Sequence, residues 1–342
     1  MKAAIFHEHG DPEKLLYEDH ETPKAGPGDA VVQVKACGMN HVDLLLLDGR
    51  YPPPGGLPHI NGCEVVGTVS EAGEGVSNVK AGDRVIVFPG FSCGTCEYCL
   101  SGERTVCLKY GYLGAARHGG YAECVKVPAA NCLPLSEAVS DADGAAIPLA
   151  FLTSWHALIA QARLQPGEWV LVQAGGSGVG SSAIQIAKLV GAHVVTTVGS
   201  DEKADFAREI GADHVINYKT QDFAKETRRI TNKRGVDVLI EHIGDETFEK
   251  SIYCLNRLGR LVTIGSHANH WTRIDLRHVY MKNLRIFGAN LGSITELKTI
   301  LEFLEAGALK AVVDKTFPLS EARHATQYLL DRKNKGKVIL VP

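Results

Sequence analysis

Four cysteines close together in the first third of the chain have the spacing of a metal site. Cys93, Cys96, Cys99 and Cys107 follow the pattern C-x2-C-x2-C-x7-C. Four thiolates at this spacing can surround one ion tetrahedrally, and an all-sulfur ligand set favours zinc. Because such a site leaves no position open for water, its expected role is structural. The alternatives are four free or oxidised cysteines and an iron–sulfur cluster.

A glycine-rich turn in the middle of the chain has the setting of a dinucleotide-binding site. It follows the apolar run Trp169–Val172 and precedes a stripe of apolar residues at helical spacing. Glycines let a pyrophosphate approach the backbone, and the N-terminus of the following helix attracts its charge. An ordinary strand-to-helix turn is the alternative. The candidate cofactor-binding residues of the turn are Gly175, Ser177, Gly178, Val179 and Gly180.

The elements that must position these residues differ between the two parts of the chain. Residues 1–150 contain short β-rich runs separated by proline and glycine, as in an irregular barrel or sandwich. From about Leu152, apolar runs alternate with helical segments, which is typical of a doubly wound parallel sheet. We expect the strand ends at Ile243, Gly265 and Ser266 to reach the cofactor as well.

The bulk properties exclude several classes of partner. A net charge of −3 over 342 residues gives no general attraction for nucleic acid or for an acidic membrane surface. No apolar run approaches the ~20 residues that a membrane span needs. The N-terminus lacks the long apolar core of a secretory signal. We therefore expect a cytoplasmic protein that acts on a small-molecule substrate.

The order of these parts resembles the medium-chain dehydrogenase/reductase superfamily, which includes zinc alcohol dehydrogenases and NADPH:quinone oxidoreductases. The resemblance implies an α/β fold, with a GroES-like β-rich catalytic domain and a Rossmann cofactor domain built on a doubly wound parallel sheet. It places the GroES-like domain in residues 1–150 and 290–342, the zinc lobe at about 91–110, and the Rossmann domain at 151–289. It also implies an active site in the cleft between the domains and a homodimer or homotetramer, with Leu284–Gly288 as the edge strand that pairs in the dimer.

The resemblance also predicts that the second, catalytic zinc of alcohol dehydrogenases is absent. Asn40, Cys63 and Leu149 stand at the positions of its three ligands. Leucine cannot bind zinc, and asparagine is a poor ligand for it. The alternative is a rearranged metal site formed by Cys63, Glu64 and one further residue, which could be Cys37, His41 or His59.

Two stretches resemble the sequences of the zinc-free quinone oxidoreductase and enoyl reductase branch. They are Asn40-x-x-Asp43 and Arg50-Tyr51, which is followed by three prolines. Without a Lewis acid, oxidation of a simple alcohol loses its main source of charge stabilisation. Hydride addition to an enone or a quinone spreads the charge to a distant oxygen, where hydrogen-bond donors suffice. We therefore predict an NADPH-dependent reductase of a conjugated carbonyl (enone or enoyl) or of a quinone.

Five residues are the candidates for the chemistry of the cleft. The Tyr51 hydroxyl can donate a hydrogen bond or a proton to the substrate, unless it only braces the proline loop. Asn40 is expected to orient the substrate or the nicotinamide ribose, with Asp43 supporting it. Cys63 would be reactive if its pKa were low. Thr153 matches a cofactor-facing threonine of the family.

The end of the second strand of the cofactor domain favours NADP(H) over NAD(H). An acidic residue there binds the ribose 2′-hydroxyl of NAD, but Val198 stands at this position. The residues expected to hold the 2′-phosphate are Ser200, Lys203 and Tyr218, with Arg332 adding to them, and His41 matches a position that contacts the pyrophosphate. A lysine exposed on a helix is the alternative for Lys203.

Two other functions stay open at this point. One is an alcohol or aldehyde dehydrogenase with a rearranged metal site. The other is a non-catalytic NADPH-binding sensor or structural protein.

Overall fold

A computed structural model describes the chain from Met1 to Pro342, apart from the side chain of Glu246. The chain divides into two units. One combines Met1–Leu149 with Ser293–Pro342, and the other is the continuous segment Ala150–Gly292. Among the described residues, no helix combines the length and the apolar character that crossing a membrane requires.

The N-terminal part of the first unit is mainly β-structure. Its strands are β1 (Lys2–Phe6), β2 (Leu16–Asp19), β3 (Asp29–Gly38), β4 (His59–Ile60), β5 (Glu64–Ala72), β6 (Arg84–Val87), β7 (Gly90–Phe91), β8 (Gly111–Tyr112), β9 (Cys124–Pro128) and β10 (Cys132–Pro134). Its helices are α1 (His41–Leu47), α2 (Glu97–Leu100) and α3 (Asp141–Ala145).

The second unit alternates strands and helices. Its strands are β11 (Trp169–Val172), β12 (His193–Val198), β13 (His214–Asn217), β14 (Val236–Glu241), β15 (Leu255–Thr263) and β16 (Arg285–Gly288). Its helices are α4 (Ala150–Trp155), α5 (Gly178–Val190), α6 (Asp201–Glu209), α7 (Phe223–Ile230), α8 (Glu246–Cys254) and α9 (Leu276–Lys282), with a π-helical turn at His156–Gln161. All strand pairs are parallel, in the order β13-β12-β11-β14-β15-β16.

The C-terminal segment returns to the first unit. It contains α10 (Ile294–Glu305), β17 (Val313–Pro318), α11 (Ala322–Leu330) and β18 (Lys337–Val341). β17 and β18 extend the large sheet of the first unit, whose order is β10-β6-β5-β3-β18-β17, with β9 also paired to β3. The predicted fold class is confirmed, whereas α1, α9 and β17 were not foreseen from the sequence.

Strand β3 connects the hydrophobic core of the first unit to the candidate site. Gln33 and Lys35 are exposed while Val32 and Val34 are buried, which is the period-two pattern of a strand with one covered face. From Ala36 to Gly38 every residue is buried. A side chain at Gly38 would lie 2.2 Å from the carbonyl oxygen of Ala145, so only glycine fits. β3 therefore places Asn40, two residues after its end, in the interior of the first unit.

Candidate active site and metal centre

The four-cysteine lobe brings its sulfur atoms together. The four Sγ atoms lie within 4.8 Å of one another, with separations of 3.5 Å for Cys107–Cys93, 3.8 Å for Cys96–Cys107 and 3.9 Å for Cys93–Cys99. Tetrahedral zinc with Zn–S bonds of about 2.3 Å requires sulfur atoms about 3.8 Å apart. The thiol set therefore fits one zinc ion with no position left for water.

Backbone amides of the lobe already stabilise charge on sulfur. The N–H groups of Cys93 and Lys109 donate to Cys107 Sγ at 3.2 and 3.3 Å, and that of Cys96 donates to Cys93 Sγ at 3.4 Å. Hydrogen bonds from the backbone of Thr95 and Cys96 lower the pKa of Cys93 to about 5. The local backbone thus favours the thiolate form that a metal requires.

Two of the three positions that match catalytic zinc ligands, Asn40 and Leu149, hydrogen-bond one carboxylate instead, and the third, Cys63, lies beside Asn40. Glu64 is fully buried, and its Oε1 accepts a hydrogen bond from the backbone N–H of Leu149 at 2.7 Å. Its Oε2 accepts one from Asn40 Nδ2 at 2.8 Å, and the same amide lies 3.5 Å from Cys63 Sγ. Asn40, Cys63 and Leu149 therefore lie around one buried carboxylate group of the first unit.

A buried lysine completes this pocket. Lys337 Nζ forms an ion pair with Glu64 Oε2 and donates to Asn40 Oδ1 and to the carbonyl oxygen of Met39, both at 2.6 Å. The Lys337 side chain is only 4% exposed. An ammonium has three N–H donors, so the three acceptors satisfy it. We call these residues, Asn40, Cys63, Glu64, Leu149 and Lys337, the lysine pocket.

The lysine pocket does not fit a zinc ion. Asn40 uses both ends of its amide on protein partners, Leu149 contributes only a backbone N–H, and a protein cation already neutralises Glu64. Among the described residues, only the four lobe cysteines form a group of three or more suitable side chains with ligand atoms close enough for one ion. His59, a candidate for the rearranged site, instead hydrogen-bonds the carbonyl oxygen of Gly114 at 2.9 Å.

Asp43 lies directly beside this pocket, in the first turn of α1. Its Oδ2 accepts hydrogen bonds from the backbone N–H of Asn40 at 2.7 Å and from the hydroxyl of Tyr121 at 2.8 Å. Burial is the main reason why the pKa of Asp43 rises to about 6. Asp43 thus fixes the start of α1 and, through it, the position of Asn40.

Two tyrosines face each other in the same unit. Tyr51 is exposed, and its ring stacks on that of Tyr112 with centroids 6.5 Å apart and an interplanar angle of 14°. Burial raises the pKa of Tyr112, with smaller contributions from Tyr51, Cys63 and Asp43. We call Tyr51 and Tyr112 the tyrosine pair.

The thiol of Cys63 is in an unreactive setting. Burial raises its pKa well above the ordinary range, and the nearby carboxylates of Asp43 and Glu64 raise it further. A thiol with a raised pKa stays protonated at neutral pH and is a poor nucleophile. The condition set for a reactive Cys63, a low pKa, is therefore not met.

In the second unit, the glycine turn forms a tight cradle between β11 and α5. A side chain at Gly180 would lie 2.1 Å from the carbonyl oxygen of Ala174, and one at Gly175 would lie 2.3 Å from Thr196 Oγ1. Ser177 is the N-cap of α5, and its Oγ accepts a hydrogen bond from Gly180 N at 3.0 Å. The bare backbone and the helix N-terminus fit a dinucleotide pyrophosphate.

The residues expected at the cofactor phosphate lie next to this cradle. A side chain at Gly176 would meet Lys203 Cδ at 2.9 Å, so the lysine stem packs over the turn. A side chain at Gly199 would meet the Tyr218 hydroxyl at 2.6 Å. Ser200 is the N-cap of α6 and accepts from Lys203 N at 3.3 Å. The turn, Lys203 and Tyr218 thus share one end of the sheet.

The remaining predicted residues are distributed over both units. In the second unit, Thr153 is buried in α4, Ile243 N donates to Glu241 Oε1 at 2.8 Å, and Ser266 Oγ hydrogen-bonds His270 Nδ1 at 3.0 Å. Gly265 follows the end of β15 beside Ser266. In the first unit, His41 begins α1 and Arg332 follows α11 with a φ of 55°.

Sequence reasoning did not single out Lys337, Tyr112 or Tyr121. A lysine inside the apolar run Lys337–Val341 was the one available signal, because a charged residue in a buried strand needs a partner. The two tyrosines have no distinguishing pattern in the sequence.

Comparison with known proteins identifies the family. The family model described as alcohol dehydrogenase GroES-like domain matches residues 26–137, and the one described as zinc-binding dehydrogenase matches residues 178–306. An alcohol dehydrogenase of Geobacillus stearothermophilus is 33% identical over 342 residues, which is 99% of both chains.

Solved structures agree along the whole chain. That of an NAD-dependent alcohol dehydrogenase is 40% identical with a TM-score of 0.94, and that of Escherichia coli quinone oxidoreductase complexed with NADPH is 30% identical with a TM-score of 0.86. Both matches cover 100% of this chain and of the solved chain. The resemblance stated from the sequence is confirmed: the chain belongs to the medium-chain dehydrogenase/reductase superfamily and is an oxidoreductase.

Proposed function

We propose that the protein is an NADPH-dependent reductase of a conjugated carbonyl compound or a quinone, and that it works without a catalytic zinc. The observation that carries this proposal is the lysine pocket. At the catalytic ligand positions, the Asn40 side chain and the Leu149 backbone N–H hydrogen-bond a buried Lys337–Glu64 ion pair, and the donor set is unsuited to zinc. The substrate must then tolerate the lack of a Lewis acid.

The chain's own residues limit how negative charge on the substrate oxygen can be stabilised. Lys337 has three acceptors for its three donors, and Cys63 is a protonated thiol. Tyr51 is exposed, and its side chain interacts with that of Tyr112 in the tyrosine pair. We therefore assign Tyr51 as the donor to the substrate oxygen, and Asn40 and Asp43 as positioning residues that hold the pocket.

The nicotinamide, when bound, supplies the hydride. Addition of that hydride to the β-carbon of an enone places a charge on the carbonyl oxygen, where the Tyr51 hydroxyl donates its hydrogen bond. A proton from solvent then completes the saturated product. A quinone accepts the hydride and a proton in the same overall balance and gives a hydroquinone.

The preference for NADPH is supported by the end of β12. Val198, Gly199 and Ser200 carry no carboxylate there. Lys203 packs over the glycine turn, and the Tyr218 hydroxyl lies next to Gly199. The nearest acid in sequence, Asp201, accepts a hydrogen bond from Asn217 Nδ2 at 2.9 Å. This arrangement has a cation and a hydroxyl for a 2′-phosphate.

We also propose that the protein forms a homodimer through β16. Among the residues that the structure describes, this strand pairs only with β15, and its other edge has no partner strand. The neighbouring exposed apolar side chains are Leu276, Tyr280, Met281 and Ile286. An open edge beside apolar residues is a surface that a second copy can cover. Sedimentation of the native protein should give a dimer or a tetramer, and Ile286→Lys should shift it toward monomer.

A substrate panel with both cofactors tests the proposed activity. We expect steady NADPH oxidation with an enone or a quinone, insensitive to a chelator that leaves the lobe zinc in place. Tyr51→Phe should lower kcat by about 10²-fold, whereas Tyr98→Phe, an equally superficial tyrosine of the lobe, should not change it. Chelator-sensitive alcohol oxidation would favour the dehydrogenase with a rearranged metal site. Cofactor binding without turnover of any substrate would favour the sensor.

The cofactor preference has its own measurement. The Michaelis constant for NADPH should be much lower than that for NADH, and Lys203→Ala should raise only the NADPH value. Equal constants in the unmodified protein would defeat this part of the proposal.

A further inference from the structure

The two members of the tyrosine pair are held in the fold to different degrees. Tyr51 lies in the loop after α1, is 44% exposed, and is followed by three prolines. Its backbone N–H donates to the carbonyl oxygen of Leu45 at 2.9 Å. This bond fixes the Tyr51 backbone against α1. It does not fix the aromatic ring, which lies at the surface.

Tyr112 is the fixed member of the pair. It ends β8 and lies opposite Gly90 of β7 in the antiparallel register. Its carbonyl oxygen accepts from the N–H of Ala116 at 2.9 Å, and the N–H of the next residue, Leu113, donates to the carbonyl oxygen of Pro89 at 2.9 Å. The Tyr112 ring is half-buried against the hydrophobic core of the first unit. Because folding has already ordered this side chain, a hydrogen bond from its hydroxyl costs little further rotamer entropy.

The hydrogen bond between the two side chains has a defined direction. The rings are nearly parallel, with an interplanar angle of 14° and centroids 6.5 Å apart. Burial is the main cause that raises the pKa of Tyr112, and a side-chain hydrogen bond with Tyr51 raises it further. A hydrogen bond raises the pKa of a phenol that donates it, because donation stabilises the protonated form. The Tyr112 O–H therefore donates to the Tyr51 oxygen.

This direction leaves the proton of Tyr51 available. A hydroxyl group has one donor and two acceptor lone pairs, so Tyr51 can accept from Tyr112 and still donate its own O–H to another group. Hydrogen bonds in a chain polarise one another, which makes an accepting hydroxyl a stronger donor. The Tyr51 O–H is thus directed away from Tyr112, and its donor strength is increased.

We propose that Tyr112 is a positioning residue for the reductase reaction, whose hydroxyl holds the exposed Tyr51 ring in one orientation and directs the Tyr51 O–H toward the substrate oxygen. The proposal rests on the proposed function, because it requires Tyr51 to be the donor to the substrate. Tyr112 acts through Tyr51 alone. Its contribution must therefore vanish when Tyr51 has no hydroxyl.

A double-mutant cycle of the two hydroxyls tests this assignment. Tyr112→Phe, Tyr51→Phe and the double variant are compared with the unmodified full-length protein, using NADPH with p-benzoquinone and NADPH with cyclohexenone. Tyr110→Phe is the matched control, because it removes a tyrosine hydroxyl two residues away that has no hydrogen-bond partner among the described residues. Both kcat and KM are measured for each variant, beside a thermal unfolding curve.

Tyr112→Phe should lower kcat about tenfold, the effect of one ordinary hydrogen bond, and should change KM by less than about twofold. In the Tyr51→Phe background the same substitution should lower kcat no further, and Tyr110→Phe should leave kcat unchanged. An unchanged kcat in Tyr112→Phe, or an equal drop in the Tyr51→Phe background, would overturn the assignment while leaving the proposed function intact. Absence of NADPH oxidation with any enone or quinone in the unmodified protein would instead overturn the proposed function, and the assignment with it.

Discussion

The four-cysteine lobe and the lysine pocket lie in the same unit, yet they handle positive charge in opposite ways. The lobe presents four sulfur atoms within 4.8 Å and backbone N–H groups that favour thiolates, so it requires a cation from outside. The lysine pocket buries one carboxylate and brings its own cation, Lys337. The ligand atoms present at each site, rather than the fold, decide whether that site can bind a metal ion.

The difference also separates two kinds of stability. The lobe is a small segment with short helical turns, and we expect its order to depend on an ion bound by its four cysteines. In the lysine pocket, the buried charges of Lys337 and Glu64 neutralise each other. Removing only one of them leaves the other charge buried without a partner, which destabilises the fold. Variants that remove a lobe cysteine or one member of the ion pair should therefore fail in different ways.

The largest effect is expected in the lobe. Cys96→Ser removes one of four zinc ligands, and structural zinc contributes about 10–16 kcal/mol in small zinc-binding peptides. The variant should lose its zinc and become sensitive to limited proteolysis within residues 91–110. Cys124→Ser is the control, because that half-buried thiol lies outside the lobe. A variant that keeps its zinc and resists the protease would argue against the lobe as the metal site.

The next effect concerns the ion pair. Lys337→Met leaves Glu64 buried without its cation and should lower the free energy of unfolding by about 3–5 kcal/mol in denaturant titrations. Adding Glu64→Gln to this variant should recover part of the loss, since the uncompensated charge is then gone. Lys2→Met breaks the exposed pair with Asp19 and should leave the free energy of unfolding nearly unchanged. Similar losses for the two lysines would contradict a special role of the buried pair.

The smallest effect appears in the pH dependence of stability. The pKa of Asp43 is about 6 in the folded protein, above its ordinary value of 3.8, so the folded state holds this proton more tightly. Its contribution is fully present below the unfolded value and is lost as pH rises through 6. The free energy of unfolding of Asp43→Asn, relative to the unmodified protein, should therefore rise by up to about 3 kcal/mol between pH 4 and 7. A pH-independent difference would show that the carboxyl ionises normally.

Features carried by neighbouring residues could be predicted from the sequence. The lobe ligands lie within 15 positions of one another, and the glycine turn sits between adjacent elements, so spacing alone indicates both. The prediction that Asn40, Cys63 and Leu149 replace the catalytic zinc ligands came from the resemblance to the family.

The partner of Glu64 could not be predicted, because it depends on long-range strand pairing. Lys337 lies 297 positions after Asn40 and reaches it only because β18 pairs antiparallel with the end of β3.

The zinc content per chain tests the central claim most directly. Elemental analysis of the purified protein, with protein concentration from amino-acid analysis, should give one zinc per chain. The same measurement on Cys96→Ser should give none, and Lys337→Met should still give one. Two zinc ions in the unmodified protein, and one remaining in Cys96→Ser, would place a metal outside the lobe and contradict the account of a reductase without a catalytic zinc.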